Sequence, residues 1–328
     1  MAVETLTGVL VMAYGTATGP DDVERYYTDI RGGRPPPAEH LEELKARYAA
    51  IGNRFPLLEI TRRQAAGIEA ALNRSTSGRF RAYLGMKHSP PFIADAVRQM
   101  REDGIGRAVG LIMAPHWSGM SVQTYVDRVI AAAEEQGGPS FDFVQHWHDD
   151  PSFIELLSHR VVGALGVVPV GRIEEAAVIF SAHSLPQRTT QDGTTRCLTC
   201  TLCPEGCTYV RQLTRTADLV ADRAGLRRYR VAWQSAGRTA HAWLGPSVED
   251  VLRELGEEGC RAVIVCSAGF VADHLEILYD LDVEAKAVAE GLGIAFARTE
   301  MPNDDPAFVE AVAGIVRTHL DTAAARSR

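Results

Sequence analysis

Short apolar runs bounded by turn residues alternate with helical patterns along the whole chain, and that rhythm leaves few folds open. The runs are Gly8–Tyr14, Phe80–Met86, Ala108–Ala114, Phe141–Trp147, Ala176–Ser181, Tyr229–Gln234, Ala262–Ser267 and Ile294–Arg298. Strands joined by helices pair in parallel, because each crossover returns the chain to the same end of the sheet. The order also repeats weakly: the runs beginning at Gly8, Arg79 and Arg107 resemble those beginning at Ala177, Arg228 and Arg261. The prediction is an α/β chain of two similar domains, each a four-stranded parallel sheet flanked by helices.

A length of 328 residues suits two such domains. The boundary is expected near Asp150-Pro151, giving residues 1–150 and 151–304, with a Cys-rich insertion at 197–207 in the second domain. Residues 305–328 read as a C-terminal helix that packs back on the first domain. With 46% hydrophobic and 23% charged residues the composition is that of an ordinary globular protein. A formal charge of −8 has the wrong sign for tracking nucleic acid or an anionic membrane. The apolar run after the N-terminus is too short for a signal segment or a membrane span, so a cytoplasmic chain with no membrane insertion is expected.

Ligands of open α/β sheets bind beyond the carboxyl ends of the strands, and here those ends are rich in reactive side chains. The first half offers Tyr14, Lys87, His88, His116 and Trp117; the second offers His183, Trp233, Gln234, Phe270, Asp273 and His274. If the halves face each other, these residues line one cleft. No Gly-rich phosphate fingerprint follows the first strand, so a nucleotide site of that kind is not supported. His183, in Ser181-Ala-His-Ser-Leu-Pro186, stands either as a hydrogen-bonded structural residue or as a neutral imidazole able to accept a proton or bind a metal. Glu276, Asp280 and Glu284 step by four on a helical pattern, forming either a solvated acidic face or a line of oxygen ligands that guides a divalent cation. Leu278, Leu281, Ala285 and Val288 form the opposite stripe. Arg31, Arg34, Arg47 and Lys87 are candidate anchors for an anion.

Cys197, Cys200, Cys203 and Cys207 fall in one short window with spacing x2, x2, x3. That spacing suits an iron–sulfur cluster ahead of zinc, with reduced or disulfide-bonded cysteines as the remaining alternative. Cys260 and Cys266 read as packing residues.

Taken together, Met12-Ala-Tyr-Gly-Thr, Ile30-Arg-Gly-Gly-Arg, Gly85-Met-Lys-His88, Ala114-Pro-His, Ser121-Val-Gln-Thr-Tyr125, Ser181-Ala-His-Ser-Leu-Pro, Trp233-Gln-Ser and Gly269-Phe-Val-Ala-Asp-His-Leu-Glu-Ile-Leu-Tyr-Asp resemble the ferrochelatases, in the family's order. The Tyr14 form of the first motif is closest to the Gram-positive type, which metallates coproporphyrin III. The resemblance implies two Rossmann-like, chelatase-type domains with the active site in the cleft between them. It implies that His183 and Glu276 are the catalytic metal-centre residues, that Asp280 and Glu284 continue an acidic metal path, and that Tyr14 faces the metal from the opposite side of the macrocycle. Arg31, Arg47, Tyr48 and Tyr125 match positions near the propionates, and Lys87, His88 and Trp233 complete the implied porphyrin-binding set. Two departures stand out: Gly32 replaces an Arg common in this branch, and Phe55 stands where a Ser can hydrogen-bond a propionate. The Cys run resembles a 2Fe-2S site found in some bacterial members, with zinc as the lesser alternative.

The expected activity is that of a lyase inserting Fe2+ into a porphyrin, most simply coproporphyrin III, in haem biosynthesis. The expected partners are the porphyrin and ferrous iron, with a haem-pathway enzyme or an iron donor beyond them. Two other readings stay open at this point. One is a non-enzymatic porphyrin- or haem-binding iron–sulfur sensor; the other is a chelatase for a different tetrapyrrole, such as protoporphyrin IX or sirohydrochlorin.

Overall fold

The structure is a computed structural model that describes residues 6–76, 79–166, 168, 176–189, 195–197, 207–237 and 239–326. The first half runs β1 (Thr7–Ala13), α1 (Val23–Ile30), α2 (Ala38–Ala50), α3 (Leu57–Thr76), β2 (Phe80–Met86), α4 (Ile93–Glu102), β3 (Arg107–Ile112), α5 (Val122–Gln136) and β4 (Ser140–Val144). Then come α6 (Pro151–Leu165), β5 (Ala176–His183), the short strands β6 (Gln187–Thr189) and β7 (Thr195–Cys197), α7 (Thr208–Ala224) and β8 (Tyr229–Gln234). The remainder is α8 (Val248–Glu257), β9 (Ala262–Cys266), α9 (Leu275–Leu278), a π-helical turn over Asp280–Ala285, α10 (Lys286–Gly291), β10 (Ala295–Arg298) and α11 (Pro306–Arg326).

Two four-stranded sheets result, ordered β2-β1-β3-β4 and β10-β9-β5-β8, with every pairing in them parallel. Read from β8, the second sheet has the strand order of the first, so the weak sequence repeat reflects a repeated topology. In both sheets the chain leaves the first strand toward one side and returns on the other, which makes the carboxyl ends of β1 and β5 topological switch points. The centres of these strands are continuous apolar runs because both faces are covered: Val9 to Met12 and Ala177 to Ala182 are all buried.

One hydrophobic core spans both halves. Val9 and Val11 of β1, Leu72 of α3, Phe153 of α6, Phe180 of β5, Leu213 of α7, Ile264 of β9 and Phe308 of α11 belong to a single buried cluster. The opposite faces are covered separately, by α4 and α5 on the first sheet and by α8 and α10 on the second. Burying each large side chain contributes roughly 1.5–3 kcal/mol, so Phe153, Phe180 and Phe308 hold the halves together strongly. Helix α11 lies against α3 and α6. Polar contacts reinforce the join: the Gln64 amide donates to the carbonyls of Val271 and Asn303 at 3.1 and 2.8 Å, and Arg63 pairs with Asp304 at 2.7 Å.

Two local features were not foreseen. The β6–β7 hairpin pairs Gln187 with Cys197, and the acidic segment is not one straight α-helix. Its middle turn is widened, with the Glu284 amide donating to the Tyr279 carbonyl five residues back at 3.0 Å. Strand limits also move: β5 runs on through His183, whereas β3 and β4 stop short of Ala114 and Trp147.

Candidate active site

The first wall is built from the ends of β1 and β2. Tyr14 follows β1 directly, and the chain then turns at Gly15, whose φ of +99° suits glycine and where a Cβ would meet Ser89 Oγ at 2.6 Å. This turn leaves the Tyr14 side chain in the open, 42% exposed. Its ring lies 4.6 Å from that of His88, and Lys87 Nζ stands 5.7 Å from its centroid. Desolvation within the cleft, followed by the charge of Glu276, raises its phenol above the ordinary range, although part of the side chain stays exposed to water.

Lys87 and His88 are themselves buried. The Lys87 ammonium donates to Thr124 Oγ1 at 2.6 Å and sits 5.1 Å from the Tyr125 ring; burial, with the Arg128 charge beside it, pushes it down to about 8. His88 Nδ1 is 2.6 Å from Asp29, yet burial outweighs that carboxylate and pushes the imidazole down to about 4. Tyr48 is buried against Phe55, with rings 4.4 Å apart, and burial raises its phenol to about 12.

The second wall is built from the end of β5 and the loop after β9. That loop packs so closely on β5 that a Cβ on Gly269 would meet the Ala182 Cβ at 2.4 Å. The close approach brings Glu276, in the first turn of α9, to His183, with Nε2 and Oε1 3.6 Å apart. Glu276 Oε2 lies 3.5 Å from Nε2 of His274 on its other side. Both imidazoles commit Nδ1 to backbone carbonyls, of Ser184 and Ala272. A neutral ring bonded in that way would turn a lone pair toward the carboxylate, so at His183 the favourable state carries a second proton. Burial alone would lower the His183 value, but the charge and contact of Glu276 lift it to about 9. Glu276 is held far below the ordinary carboxylate range, because His183 and His274 overcome its burial. In this arrangement the Glu276 carboxylate on one side of the ring and the Ser184 carbonyl on the other favour the protonated form of His183.

Asp280 is buried behind this pair. Burial, then the charge of Glu276, raises its carboxyl to about 7, although Ser235 donates to Oδ2 and Arg47 lies 3.6 Å from Oδ1. Glu284 is half-buried further along the widened turn. Arg47, from α2 in the first half, thus meets the acidic line of the second; its guanidinium also lies 3.6 Å from Glu43 and 5.1 Å from the Tyr279 ring.

The fold therefore brings Tyr14, Lys87, His88, His183, Glu276, Asp280 and Arg47 to one region. Arg31 stands at the end of α1, with its Nε buried and without a hydrogen-bond partner among the described residues. Trp233 is not brought there: alternation along β8 turns its ring into the shared core, 5.4 Å from Tyr209, and leaves Gln234 facing the site. Tyr48 and Tyr125 likewise lie mostly within apolar clusters. Of the cysteine window, Cys200 and Cys203 lie outside the described residues, Cys197 ends β7 and Cys207 precedes α7. Among the described residues no group of three or more His, Cys, Asp or Glu is arranged to hold a metal ion, and no helix is long and apolar enough to cross a membrane.

Ser235 and Asp29 were absent from the expected site, and His274, expected among the residues lining the cleft, had been given no role beside Glu276. His274 had a signal, since it stands beside Asp273 after a strand end. Asp29 had none, because its contact with His88 joins positions 59 residues apart.

Comparison with known proteins bears on this geometry. The ferrochelatase family model matches residues 6–320. Coproporphyrin III ferrochelatase of Geobacillus kaustophilus is 46% identical over 316 residues, covering 96% of each chain. The enzyme of that name from Bacillus subtilis is 44% identical over 315 residues, 95% of this chain and 97% of the other. Among solved structures, the sirohydrochlorin chelatase SirB of Bacillus subtilis subspecies spizizenii, in complex with cobalt, has a TM-score of 0.56 at 9% identity, covering 97% of this chain and 96% of that one. Bacillus subtilis SirB with Fe3+ gives 0.57 at 12%, covering 96% of each. At those identities the structures show the two-domain fold alone, whereas the family match spans nearly the whole sequence: the chain belongs to the ferrochelatase family.

Proposed function

We propose that this chain inserts ferrous iron into coproporphyrin III in haem biosynthesis, releasing two pyrrole protons for each ion taken up. The observation that carries the reading is the His183–Glu276 pair, 3.6 Å apart, at the end of β5. Its charge bears on Tyr14 of the other half. The names of the relatives support the choice of porphyrin.

In this reading the pair exchanges a proton for a metal ion. A ferrous ion that takes Glu276 as an oxygen ligand withdraws the charge that keeps His183 protonated, and that proton passes to water. The imidazole, now neutral, accepts the two pyrrole protons in turn as the metal enters and passes each to water. Asp280, poised at about 7, takes up and releases protons behind the pair, and with Glu284 supplies hard oxygen atoms along the iron's path. Arg31, with its unpartnered Nε, is suited to a propionate, while Lys87 and Arg128 make that wall cationic. Propionate binding remote from the reacting centre supplies energy for bending the ring.

The division of the chain near Asp150 belongs to the same proposal, supported by the Asp150 carboxylate capping α6 and by α11 packing on α3. Cytoplasmic placement and a separate iron donor or haem-pathway partner are proposed with it, supported by the acidic globular composition. The spacing of Cys197, Cys200, Cys203 and Cys207 supports an accessory 2Fe-2S cluster; Cys203→Ser is expected to abolish its visible absorbance, and intact absorbance would contradict ligation there.

The test of the activity is anaerobic mixing of the protein with ferrous iron and either coproporphyrin III or protoporphyrin IX, followed through the porphyrin Q-bands. Metallation of coproporphyrin III is expected to dominate. His183→Ala is expected to bind porphyrin without metallating it, and near-normal turnover in that variant would overturn the assignment.

A further inference from the structure

We propose that Gln234 and Ser235, the consecutive residues at the end of β8, are positioning residues that set where Glu276 and Asp280 stand relative to His183. The inference rests on the metal-handling role proposed above and extends it to residues that need not touch the metal.

Gln234 is 3% exposed and lies opposite His183 in the β5–β8 register. Its main-chain carbonyl accepts from the Ser184 amide at 2.7 Å, which fixes the residue next to His183. Its side chain reaches the other member of the pair, with Nε2 donating to the Glu276 carbonyl at 3.0 Å. The side-chain oxygen accepts from Ser181 Oγ at 2.8 Å and Ser267 Oγ at 3.0 Å, and the Glu276 carbonyl, which can only accept, fixes the orientation of the amide. One residue thus grips both neighbours of the His183–Glu276 gap, and hydroxyls from β5 and from the loop after β9 lock the grip.

Ser235 does the same for the next carboxylate. Its φ of +61° lies in the left-handed region, which costs a non-glycine residue free energy and persists only where surroundings enforce it. Here the turn aims Oγ at Asp280 Oδ2, to which it donates. The last residue of β8 and the residue that follows it therefore hold two successive members of the acidic line, which is tied in this way to the end of the strand.

The decisive variant is S235G. Glycine adopts the same φ without strain, so the melting temperature is expected to stay level or rise, while loss of the hydroxyl raises the apparent KM for ferrous iron roughly tenfold, as for a hydrogen bond to a charged group. The affinity for coproporphyrin III, read by fluorescence quenching, should not change. S235N, which tolerates that φ and restores a donor, is expected to bring the iron KM back toward the unsubstituted value. Q234L, near in volume, is expected to lower kcat roughly tenfold with porphyrin affinity unchanged. D280N serves as the reference. If D280N raises the iron KM but S235G and Q234L leave iron KM and kcat unaltered, the positioning role is wrong. If D280N itself has no effect, the proposed metal path fails and this inference falls with it.

Discussion

Replacing Glu276 by Gln tests the charge state of the site most directly. In the unsubstituted protein the carboxylate lifts His183 to about 9 against an ordinary 6.5. That gap corresponds to about 3 kcal/mol of preference for the imidazolium. Because 33% of the His183 side chain and 34% of the Glu276 side chain face solvent, water screens the pair, and about 1–2 kcal/mol is the effect to expect. The sign follows from proton binding. The folded state holds a proton that the unfolded state loses above 6.5, so this contribution is complete below 6.5 and disappears as pH rises toward about 9. Lys87, pushed down to about 8, acts oppositely above that pH, gaining stability as pH rises further, so only the difference between the two proteins isolates His183. Asp280 does not confound that difference above pH 7, because its own window closes at about 7. Urea unfolding at pH 7 and pH 9 should show E276Q losing about 1–2 kcal/mol less stability than the unsubstituted protein over that interval. In parallel, the His183 resonance of protein labelled with nitrogen-15 in histidine should titrate one or more pH units lower in E276Q. A His183 that titrates near 6.5 in both proteins would refute the imidazolium assignment and, with it, the exchange of proton for metal.

Other outcomes follow from separate parts of the structure. Arg31→Met should weaken coproporphyrin III binding by roughly ten- to a hundredfold, the usual loss for a charged hydrogen bond, with no loss of thermal stability, since its buried Nε has no hydrogen-bond partner among the described residues; fluorescence quenching and melting curves check both halves of the claim. Arg298→Met should destabilise the fold by about 1–3 kcal/mol in urea unfolding, because it removes charged hydrogen bonds to Asp282 and Asp273 at 2.7 and 3.0 Å, while Asp282 keeps water and Asp273 keeps the Asn303 amide. His116 donates to or accepts from Thr216 at 2.9 Å across the join of the halves, and burial pushes it down to about 3. Its contribution to stability is full above 6.5 and is lost as pH falls toward about 3, so His116→Gln should flatten the fall in melting temperature between pH 6.5 and 4.

How much of this was legible in the sequence depends on the range of each interaction. The strands were readable because burial on both faces leaves continuous apolar runs, and the repeated order was readable because equivalent strands carry similar runs. His183 drew notice because it lies at a strand end, and Glu276 because it heads a line of carboxylates spaced by four; their approach to 3.6 Å had no sequence signal. Trp233 was misplaced for a local reason: one residue of alternation decides which way a strand-end side chain turns, and Gln234, not Trp233, reaches the backbone of Glu276. The spacing of four between Glu276, Asp280 and Glu284 suggested a plain α-helix, because nothing in that spacing reports the Ser235 and Arg298 contacts that hold the widened turn. The charge on His183 was equally hidden, since it arises from a carboxylate 93 residues away whose approach depends on Gly269.

The two halves share a strand order but divide the chemistry by charge. At the ends of the first sheet stand cations, Lys87 with Arg128 beside it, and Arg31 and Arg47 on the adjoining helices. At the ends of the second stand His183, His274 and the carboxylates of the acidic line. In the proposed reading an anionic macrocycle would be drawn to one wall and a divalent cation to the other, so the substrates would not compete for the same groups on the way in. Arg47 crosses that division: it reaches from the first wall to Asp280 and keeps that carboxyl lower than burial alone would. Removing it should therefore raise the Asp280 value above about 7, leave more of the acidic line protonated at neutral pH, and move the pH at which iron insertion reaches half its maximum upward. An Arg47→Gln profile that shifts to lower pH would show that Arg47 acts on the line by repelling the iron rather than by setting the charge of Asp280.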